Sequence, residues 1–316
     1  MTRRARELTV LSQLSEPFTL ELPPDLQPRV EVVSVPKGSE LPPDLRGDVL
    51  LGTWGNPQIY ELAERVPWVH YAGTGIDGLD LRRLANGRVF TNSRGVAAIP
   101  IAEWVLALLL LHEKRLDTVL LRQPPELWPV RTPLGTLHGR RIALLGLGAI
   151  GSAVAARALP FGAHLRALRR SAQDGDVFGV ERVHTFEELL RDADHLVIAA
   201  PLTEATHHIV NRKSLRHAKP GLHIINIARG DLIDQEALLE ALESGVVGAA
   251  SLDAVTPEPL PAGHWLYSHP RVRLSPHLSW SWPNAAATLT AKFAENLRLR
   301  LNGQPLVNVI DPDRGY

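Results

Sequence analysis

The chain has 316 residues with 34 basic and 34 acidic side chains, so its formal net charge is zero. This balance argues against a nucleic-acid binder that relies on bulk charge. Because cysteine is absent, disulfides, thiolate catalysis and cysteine-ligated zinc are excluded. The longest apolar run, Trp104 to Leu111, is too short for a membrane span and predicts a buried helix. The basic N-terminal segment lacks an apolar region, so we expect no signal peptide and a cytoplasmic protein.

The length predicts about two domains, and the first hundred residues have the pattern of a small α/β unit. Apolar runs there predict a helix at 58–65 and strands at 9–11, 30–35, 48–51 and 68–71. The following part of the chain predicts strands at 141–145, 164–168, 195–199, 222–227, 247–252 and 272–274. Helical patterns lie mostly between these strands, and this alternation is typical of a doubly wound parallel sheet.

The last helix is predicted at 284–302, because apolar side chains recur there at every fourth position and Asn302-Gly303 supplies a stop. We expect this helix to return to the first domain, which makes that domain discontinuous. The predicted substrate domain is therefore 1–102 with 283–316, and the predicted dinucleotide-binding domain is 103–282. The fold class expected is α/β, with two doubly wound parallel-sheet domains: a Rossmann cofactor domain inserted in a flavodoxin-like substrate domain.

A glycine-rich turn stands between the predicted strand 141–145 and a predicted helix. Its sequence is Gly146, Leu147, Gly148, Ala149, Ile150, Gly151. At a strand-to-helix turn, this spacing predicts dinucleotide binding. The first glycine allows the tight turn, the second lets the pyrophosphate approach the backbone, and the third lets helix and strand pack closely. The N-terminus of the helix, including Ala149 and Ile150, offers N–H groups and a partial positive charge to the phosphates.

Arg169, Arg170 and Ser171 follow the predicted strand 164–168, and no carboxylate occurs between Gly151 and Asp174. An NAD-binding fold usually places an acid at this point to accept hydrogen bonds from the ribose 2′-hydroxyl. Two guanidinium groups and a hydroxyl instead suit a 2′-phosphate, which they bind by charge-assisted hydrogen bonds. The sequence therefore predicts NADP as the preferred cofactor, with NAD as the alternative; a solvated arginine pair on a loop is the other interpretation.

Three segments place polar residues just beyond predicted strands, at 226–234, 252–261 and 274–279. The carboxyl ends of parallel strands face the ligand crevice in such sheets. Together with the glycine motif and the segments 72–77, 91–93, 102–103 and 201–203, they resemble the D-isomer-specific 2-hydroxyacid dehydrogenase family over most of the chain.

The resemblance implies an NAD(P)-dependent enzyme that transfers a hydride between the cofactor and a 2-keto acid or D-2-hydroxy acid. Arg229 matches the residue that binds the substrate carboxylate, and its planar guanidinium suits that group. His277 matches the residue that acts as the general acid and base. Imidazole suits this role, because it exchanges protons near neutral pH. Glu258 matches the carboxylate that pairs with this histidine.

The resemblance implies further contacts with cofactor and substrate. The cofactor residues implied are Pro201, Ala228 and Asp253, the last near the nicotinamide carboxamide. The backbone at Gly73, Thr74 and Gly75 matches the loop that approaches the substrate. The expected substrate-binding residues are therefore these three together with Arg229 and His277. A homodimer is implied, with a small-molecule substrate and neither a nucleic-acid nor a membrane partner.

No metal site is expected, because the spacing of His207, His208 and His217 does not match a known metal-ligand spacing. One alternative function stays open. Corepressors of the same family keep its catalytic residues, so a dinucleotide-sensing interaction protein fits the same motifs.

Overall fold

The computed structural model describes residues 6–14, 19–53, 55–121, 132–169 and 177–312. The chain divides into two compact units. The first unit comprises Met1–Ala97 with Trp282–Tyr316, and the second comprises Ala98–Ser281. Every helix within the described residues is too short or too polar to cross a membrane.

Five strands of the first unit form a parallel sheet in its described part. They are β1 (Leu8–Ser12), β2 (Val30–Ser34), β3 (Val49–Gly52), β4 (Trp68–Tyr71) and β5 (Val89–Asn92), accompanied by helices α1 (Ile59–Ala63) and α2 (Leu81–Ala85). Their order across the sheet is β2-β1-β3-β4-β5, and every pair is parallel. This is the flavodoxin-like order, in which the chain reverses direction across the sheet between β1 and β3.

The C-terminal helix spans Ala285–Leu301 and belongs to this first unit. Phe293 and Leu297 are buried against Trp68 and Val49, so two of the residues recurring at every fourth position lie in the core. The predicted helix is confirmed, because its apolar stripe has a sheet face to cover.

Seven strands of the second unit form another parallel sheet in the described residues. They are β6 (Arg141–Leu145), β7 (His164–Leu168), β8 (Val180–Val183), β9 (His195–Ile198), β10 (Leu222–Asn226), β11 (Val247–Leu252) and β12 (Val272–Leu274). Their order is β12-β11-β10-β9-β6-β7-β8. The order reverses at β6 and β9, which are paired neighbours. The predicted α/β fold class is confirmed.

The helices of the second unit flank this sheet. They are α3 (Ala98–Lys114), α4 (Leu116–Val119), α5 (Ala149–Ala158), α6 (Phe186–Leu190), α7 (Arg212–Leu215) and α8 (Gln235–Glu243). The prediction of a buried helix over the run in α3 is only partly right. Val105 and Leu109 are buried, whereas Leu106 and Leu108 are half-buried and Ala107 is exposed.

Two strands, β5 and β8, were not expected from the sequence, because neither has a continuous apolar run. Half of β5 is polar, yet Thr91 and Asn92 are buried and form side-chain hydrogen bonds. β8 lies at the edge of its sheet, where Glu181 accepts a hydrogen bond from Arg166 at 3.2 Å. Polar residues are favourable in a strand when their side chains are hydrogen-bonded or face solvent.

Candidate functional site

Residues predicted to act in binding or catalysis follow the carboxyl ends of six strands in the second unit. Gly146 follows β6, Arg169 follows β7, Pro201 follows β9, Arg229 follows β10, Asp253 follows β11 and His277 follows β12. Parallel strands bring these ends to one edge of the sheet. Because the strand order reverses at β6 and β9, this edge includes the switch point where open α/β sheets bind ligands.

The three motif glycines have distinct surroundings. Gly146 has φ +101°, and a Cβ there would lie 2.8 Å from the carbonyl oxygen of Ala199. A Cβ on Gly151 would lie 2.2 Å from the carbonyl oxygen of Gly146, so the turn and helix α5 pack too closely for any side chain. Around Gly148 no heavy atom of the described residues lies within 4 Å of such a Cβ. The residues therefore fit a dinucleotide: two glycines close the turn, and the third leaves open space at the start of α5.

Arg169 directly follows β7 and is half-buried. This is the place at which an acid would accept hydrogen bonds from a ribose 2′-hydroxyl. The other two residues of the predicted phosphate site, Arg170 and Ser171, lie outside the described residues.

His277 and Glu258 lie within hydrogen-bond distance of each other, with Nδ1 of the imidazole 2.9 Å from Oε2 of the carboxylate. The other carboxylate oxygen, Oε1, accepts a hydrogen bond from the backbone N–H of Val255 at 3.0 Å. The side chains are 36% and 39% exposed, so the pair is open to solvent. An ionised carboxylate only accepts hydrogen bonds. Nδ1 therefore carries the proton in this pairing, and Nε2 is the nitrogen left to face a reactant.

The loop that carries Arg229 is held by Asn226, the last residue of β10, which is fully buried. Its amide nitrogen donates to the carbonyl of Arg229 at 2.8 Å, and its oxygen accepts from the N–H of Ala228 at 3.1 Å. The following Gly230 packs directly on the next loop, since a Cβ there would lie 2.1 Å from the carbonyl carbon of Val255. The loops that carry Arg229 and Glu258 are thus in contact through backbone atoms.

Asp253 is 2% exposed and stands at the end of β11. Its carboxylate accepts hydrogen bonds from the hydroxyl of Ser275 and the backbone N–H groups of Leu278 and Ser279. Burial raises the pKa of the Asp253 carboxyl, but hydrogen bonds from Ser275 and Ser279 outweigh it and hold this pKa below its usual value. Asp253 is therefore a buried carboxylate that remains ionised at neutral pH.

In the first unit, the loop with Gly73, Thr74 and Gly75 follows β4 and is anchored to the residues after β5. The carbonyl of Gly73 accepts from the N–H of Ser93 at 3.2 Å, and the carbonyl of Thr74 accepts from the side-chain amide of Asn92 at 2.8 Å. A Cβ on Gly73 would lie 2.6 Å from the ring of Tyr71. The small residue is needed here because the loop turns back over that ring.

Two features of the second unit were missed from the sequence. Asn226 was assigned no role from the sequence, although an Asn at the end of a predicted strand is a recognisable turn signal. The other feature is a cluster of His207, His208 and Asp231, in which the potential metal-ligating atoms all lie within 4.8 Å of one another. His207 and His208 are adjacent, but Asp231 lies 23 residues beyond His208, so local ligand spacing could not reveal the cluster.

The family comparison matches residues 106–279 to the model described as D-isomer specific 2-hydroxyacid dehydrogenase, NAD binding domain. This match covers more than half of the chain. The protein therefore belongs to the D-isomer specific 2-hydroxyacid dehydrogenase family, and its second unit contains an NAD-binding domain of that family.

Individual relatives differ in how much of each chain is shared. Glyoxylate reductase of Korarchaeum cryptofilum (strain OPF8) is 29% identical over 315 residues, covering 96% of this chain and 92% of the relative. D-3-phosphoglycerate dehydrogenase of Bacillus subtilis (strain 168) is 32% identical over 244 residues, 76% of this chain. The match spans about half (46%) of that relative's length.

Among solved structures, a D-isomer specific 2-hydroxyacid dehydrogenase from Xanthobacter autotrophicus Py2 in complex with NADPH and MES aligns with a TM-score of 0.82. The two sequences are 27% identical, and the alignment covers 99% of this chain and all of that one.

Proposed function

We propose that this protein is a 2-keto acid reductase that uses NADP(H), acting in the other direction as a D-2-hydroxyacid dehydrogenase. The observation that carries the proposal is the pairing of His277 with Glu258 at 2.9 Å. This pair follows strands of the sheet whose switch point carries the dinucleotide turn. A proton donor and a hydride donor at one sheet edge are what reduction of a carbonyl group requires.

In the proposed reaction the nicotinamide supplies, when bound, a hydride to C2 of the keto acid. His277 gives the proton at Nε2 to the carbonyl oxygen, so the C=O group becomes CH–OH. The imidazole is left neutral with its remaining proton on Nδ1, facing the carboxylate of Glu258. Glu258 accepts the hydrogen bond from Nδ1 and so fixes the orientation of the ring.

Arg229 is proposed to bind the substrate carboxylate, since a guanidinium presents two parallel N–H donors to two carboxylate oxygens. Its loop is held by buried Asn226, which supports a fixed orientation. The backbone of Gly73, Thr74 and Gly75 is proposed to contribute further substrate contacts. Hydrogen bonds to the carbonyls of Gly73 and Thr74 anchor this loop to the residues at and after the end of β5.

The dinucleotide is proposed to bind within residues 103–282. Gly146, Gly148 and Gly151 form the turn, and the N-terminus of α5 faces the pyrophosphate. The proposed contacts along the cofactor also include Ala149, Ile150, Pro201, Ala228 and Asp253.

The preference for NADP is proposed on Arg169, whose guanidinium would attract a 2′-phosphate where an acid would repel it. Steady-state kinetics with both cofactors test this point. We expect a higher kcat/KM with NADPH than with NADH, and we expect Arg169→Ala to reduce the difference. Equal or higher efficiency of the wild-type protein with NADH contradicts the preference.

The test of the reaction is a panel of 2-keto acids with NADPH, namely glyoxylate, hydroxypyruvate, pyruvate and bulkier compounds. We expect turnover of at least one, and we expect His277→Ala and Arg229→Ala to fold, bind NADPH and lose most of it. Near-normal kcat/KM in either variant refutes the role of that residue. Cofactor binding without turnover on the whole panel favours a dinucleotide-sensing interaction protein instead.

A homodimer is part of the proposal. Its support is the exposed apolar surface at and after helix α3, where Ile99, Leu120 and Leu121 are each at least half exposed. Such residues are common at subunit contacts. Light scattering coupled to size-exclusion chromatography decides the question, with a mass near twice 34.7 kDa expected.

A further inference from the structure

Asp253 is a buried charge that does not touch the proposed catalytic pair, so its role needs a separate account. It directly follows β11, and its backbone N–H donates to the carbonyl of Asn226 on β10 at 2.9 Å. The backbone of Asp253 is thus tied to the edge of the sheet. Burying an ionised carboxylate is costly unless hydrogen bonds compensate for the lost water.

The compensating hydrogen bonds come from the loop that carries His277, on both sides of that residue. Oδ1 accepts from the hydroxyl of Ser275 at 2.5 Å and from the N–H of Leu278 at 3.0 Å. Oδ2 accepts from the N–H of Ser279 at 2.9 Å. These donors lie two residues before His277 and one and two residues after it.

His277 itself has φ +54°, in the left-handed region that residues with a Cβ seldom adopt. Such a conformation persists only when the surrounding structure fixes it. The Ser275 hydroxyl before His277 and the two backbone N–H groups after it tie both sides of this residue to Asp253, and Nδ1 of the imidazole lies beside Glu258.

We propose that Asp253 is a positioning residue, which holds the His277 loop in its left-handed turn and so directs the imidazole toward Glu258 and the reactant. This inference rests on the proposed function, in which His277 donates the proton. A carboxylate offers about four acceptor positions. At least three are engaged by the loop, so Asp253 supports this loop in addition to its proposed contact with the cofactor.

The test is Asp253→Asn, which keeps the shape but replaces one acceptor oxygen with an NH₂ group facing an N–H or O–H donor. We expect kcat to fall at least tenfold, about 1.4 kcal/mol in activation free energy, and the kcat–pH profile to shift. The Kd for NADPH, measured by fluorescence titration, reports separately on the proposed cofactor contact of Asp253. Unchanged kcat overturns the proposal, and so does a loss confined to NADPH affinity, which would favour the carboxamide role.

Ser275→Ala is the milder variant, because it removes one donor and leaves the carboxylate intact. It should lower kcat severalfold with a normal unfolding midpoint. The matched control is Ser268→Ala, since that serine is exposed and, within the described residues, its hydroxyl donates to a single group, the carbonyl of Trp265. Equal kcat values in the two serine variants contradict the proposal even if Asp253→Asn does not fold.

A spectroscopic readout separates this inference from the proposed function. The imidazole signals of His277 are assigned by their loss in His277→Ala and then compared between wild type and Ser275→Ala. A shift of these signals is expected whether or not His277 is the proton donor. If His277→Ala keeps full turnover, the proposed function fails. If the signals do not move, the positioning role fails.

A second inference concerns the cluster of His207, His208 and Asp231. The two histidines are exposed, Asp231 is half-buried, and their ligand atoms lie within 4.8 Å of one another. The imidazole rings are stacked, with centroids 3.9 Å apart. Two imidazoles and a carboxylate form a donor set typical of divalent transition metals, especially zinc.

The backbone brings these groups together before any ion binds. The N–H of His208 donates to the carbonyl of Asp231 at 2.8 Å, and Val210 forms a parallel bridge with Ile233. His208 has φ +49°, and its carbonyl accepts a hydrogen bond from the side chain of Asn211 at 2.7 Å. Tetrahedral ligand atoms around zinc are about 3.4 Å apart, given bond lengths near 2.1 Å. The exposed side chains of His207 and His208 would rotate to close the remaining gap.

The geometry points to a divalent transition-metal site at His207, His208 and Asp231, with water completing the coordination. Asp231 is two residues from Arg229, in the turn Gly230–Leu232. A bound ion would therefore stiffen the loop that carries the proposed substrate-binding arginine.

Calorimetric titration of chelator-treated protein with ZnCl₂ at pH 7.5 tests the site, and Co²⁺ absorption reports the ligand geometry. We expect one ion per chain with a Kd tighter than about 0.1 mM. Alanine at any of the three positions should weaken binding at least tenfold, whereas His217→Ala, an exposed histidine of the same unit, should not. Absence of binding, or binding that the three substitutions leave unchanged, overturns the site.

Discussion

His70 makes the first unit sensitive to acid. Its side chain is fully buried, with Nδ1 2.8 Å from the hydroxyl of Thr91 and Nε2 3.2 Å from that of Ser93. Burial, and to a smaller extent the charge of Lys292, lowers the pKa of His70 to about 3. Its pKa in the unfolded chain is about 6.5. As the pH falls below 6.5, the unfolded chain takes up a proton that the folded unit does not, so folded stability is lost.

The size of this effect follows from the difference between the two pKa values. Each pH unit between them is worth about 1.4 kcal/mol. From pH 7 to pH 4 the linkage of His70 therefore costs the folded unit about 3 kcal/mol, a large part of a typical domain stability. The loss continues until the pH reaches the folded pKa near 3.

The assay is urea unfolding between pH 4 and pH 7.5 for the wild type and for His70→Gln, which keeps polar groups near Thr91 and Ser93 but does not titrate. The variant should be less stable than the wild type at pH 7. Its disadvantage should shrink by about 3 kcal/mol at pH 4. His184→Gln, at an exposed histidine, is the control and should run parallel to the wild type. Parallel curves for His70→Gln as well would refute the linkage.

Three further variants test the second unit. Gly151→Ala places a Cβ 2.2 Å from the carbonyl oxygen of Gly146. We expect a stability loss of about 1–3 kcal/mol and weaker NADPH binding, measured by fluorescence titration. Unchanged affinity would contradict the close packing of the turn. Gly230→Ala places a Cβ 2.1 Å from the carbonyl carbon of Val255. The kcat/KM should fall at least tenfold, while the Kd for NADPH stays within threefold of the wild-type value. Normal kinetics would refute the need for this contact. Glu258→Gln should lower kcat and leave the unfolding free energy within about 0.5 kcal/mol, because the side chain is well exposed; a large loss of stability would reveal a structural role instead.

The strands that could be predicted from the sequence are those with continuous apolar runs. Ile142 to Leu145 in β6 and Leu222 to Ile225 in β10 are buried on both faces, so the run itself identifies the strand. β5 and β8 escaped because their polar residues depend on partners from elsewhere in the chain. Thr91 is satisfied by Trp68, and Glu181 by Arg166.

The candidate site shows the same division. Arg229, Glu258 and His277 could be chosen from local motifs and the family resemblance, because each motif is short and contiguous. The hydrogen bonds from the His277 loop to Asp253 could not be predicted. Their donors are 22 to 26 residues from Asp253 in sequence and become its neighbours only when β11 pairs with β12. Pairing of parallel strands sets such contacts, and no local spacing encodes them.

The exposure of the proposed catalytic pair bears on when it acts. With both side chains more than a third exposed, water screens the attraction between His277 and Glu258. At a given separation, two charges interact about four times more strongly at an effective dielectric constant near 20 than in bulk water. A reactant that displaces water from the pair therefore strengthens the support that Glu258 gives to the protonated imidazole. Because that support grows as water leaves, Glu258→Gln should lower kcat more than it weakens substrate binding.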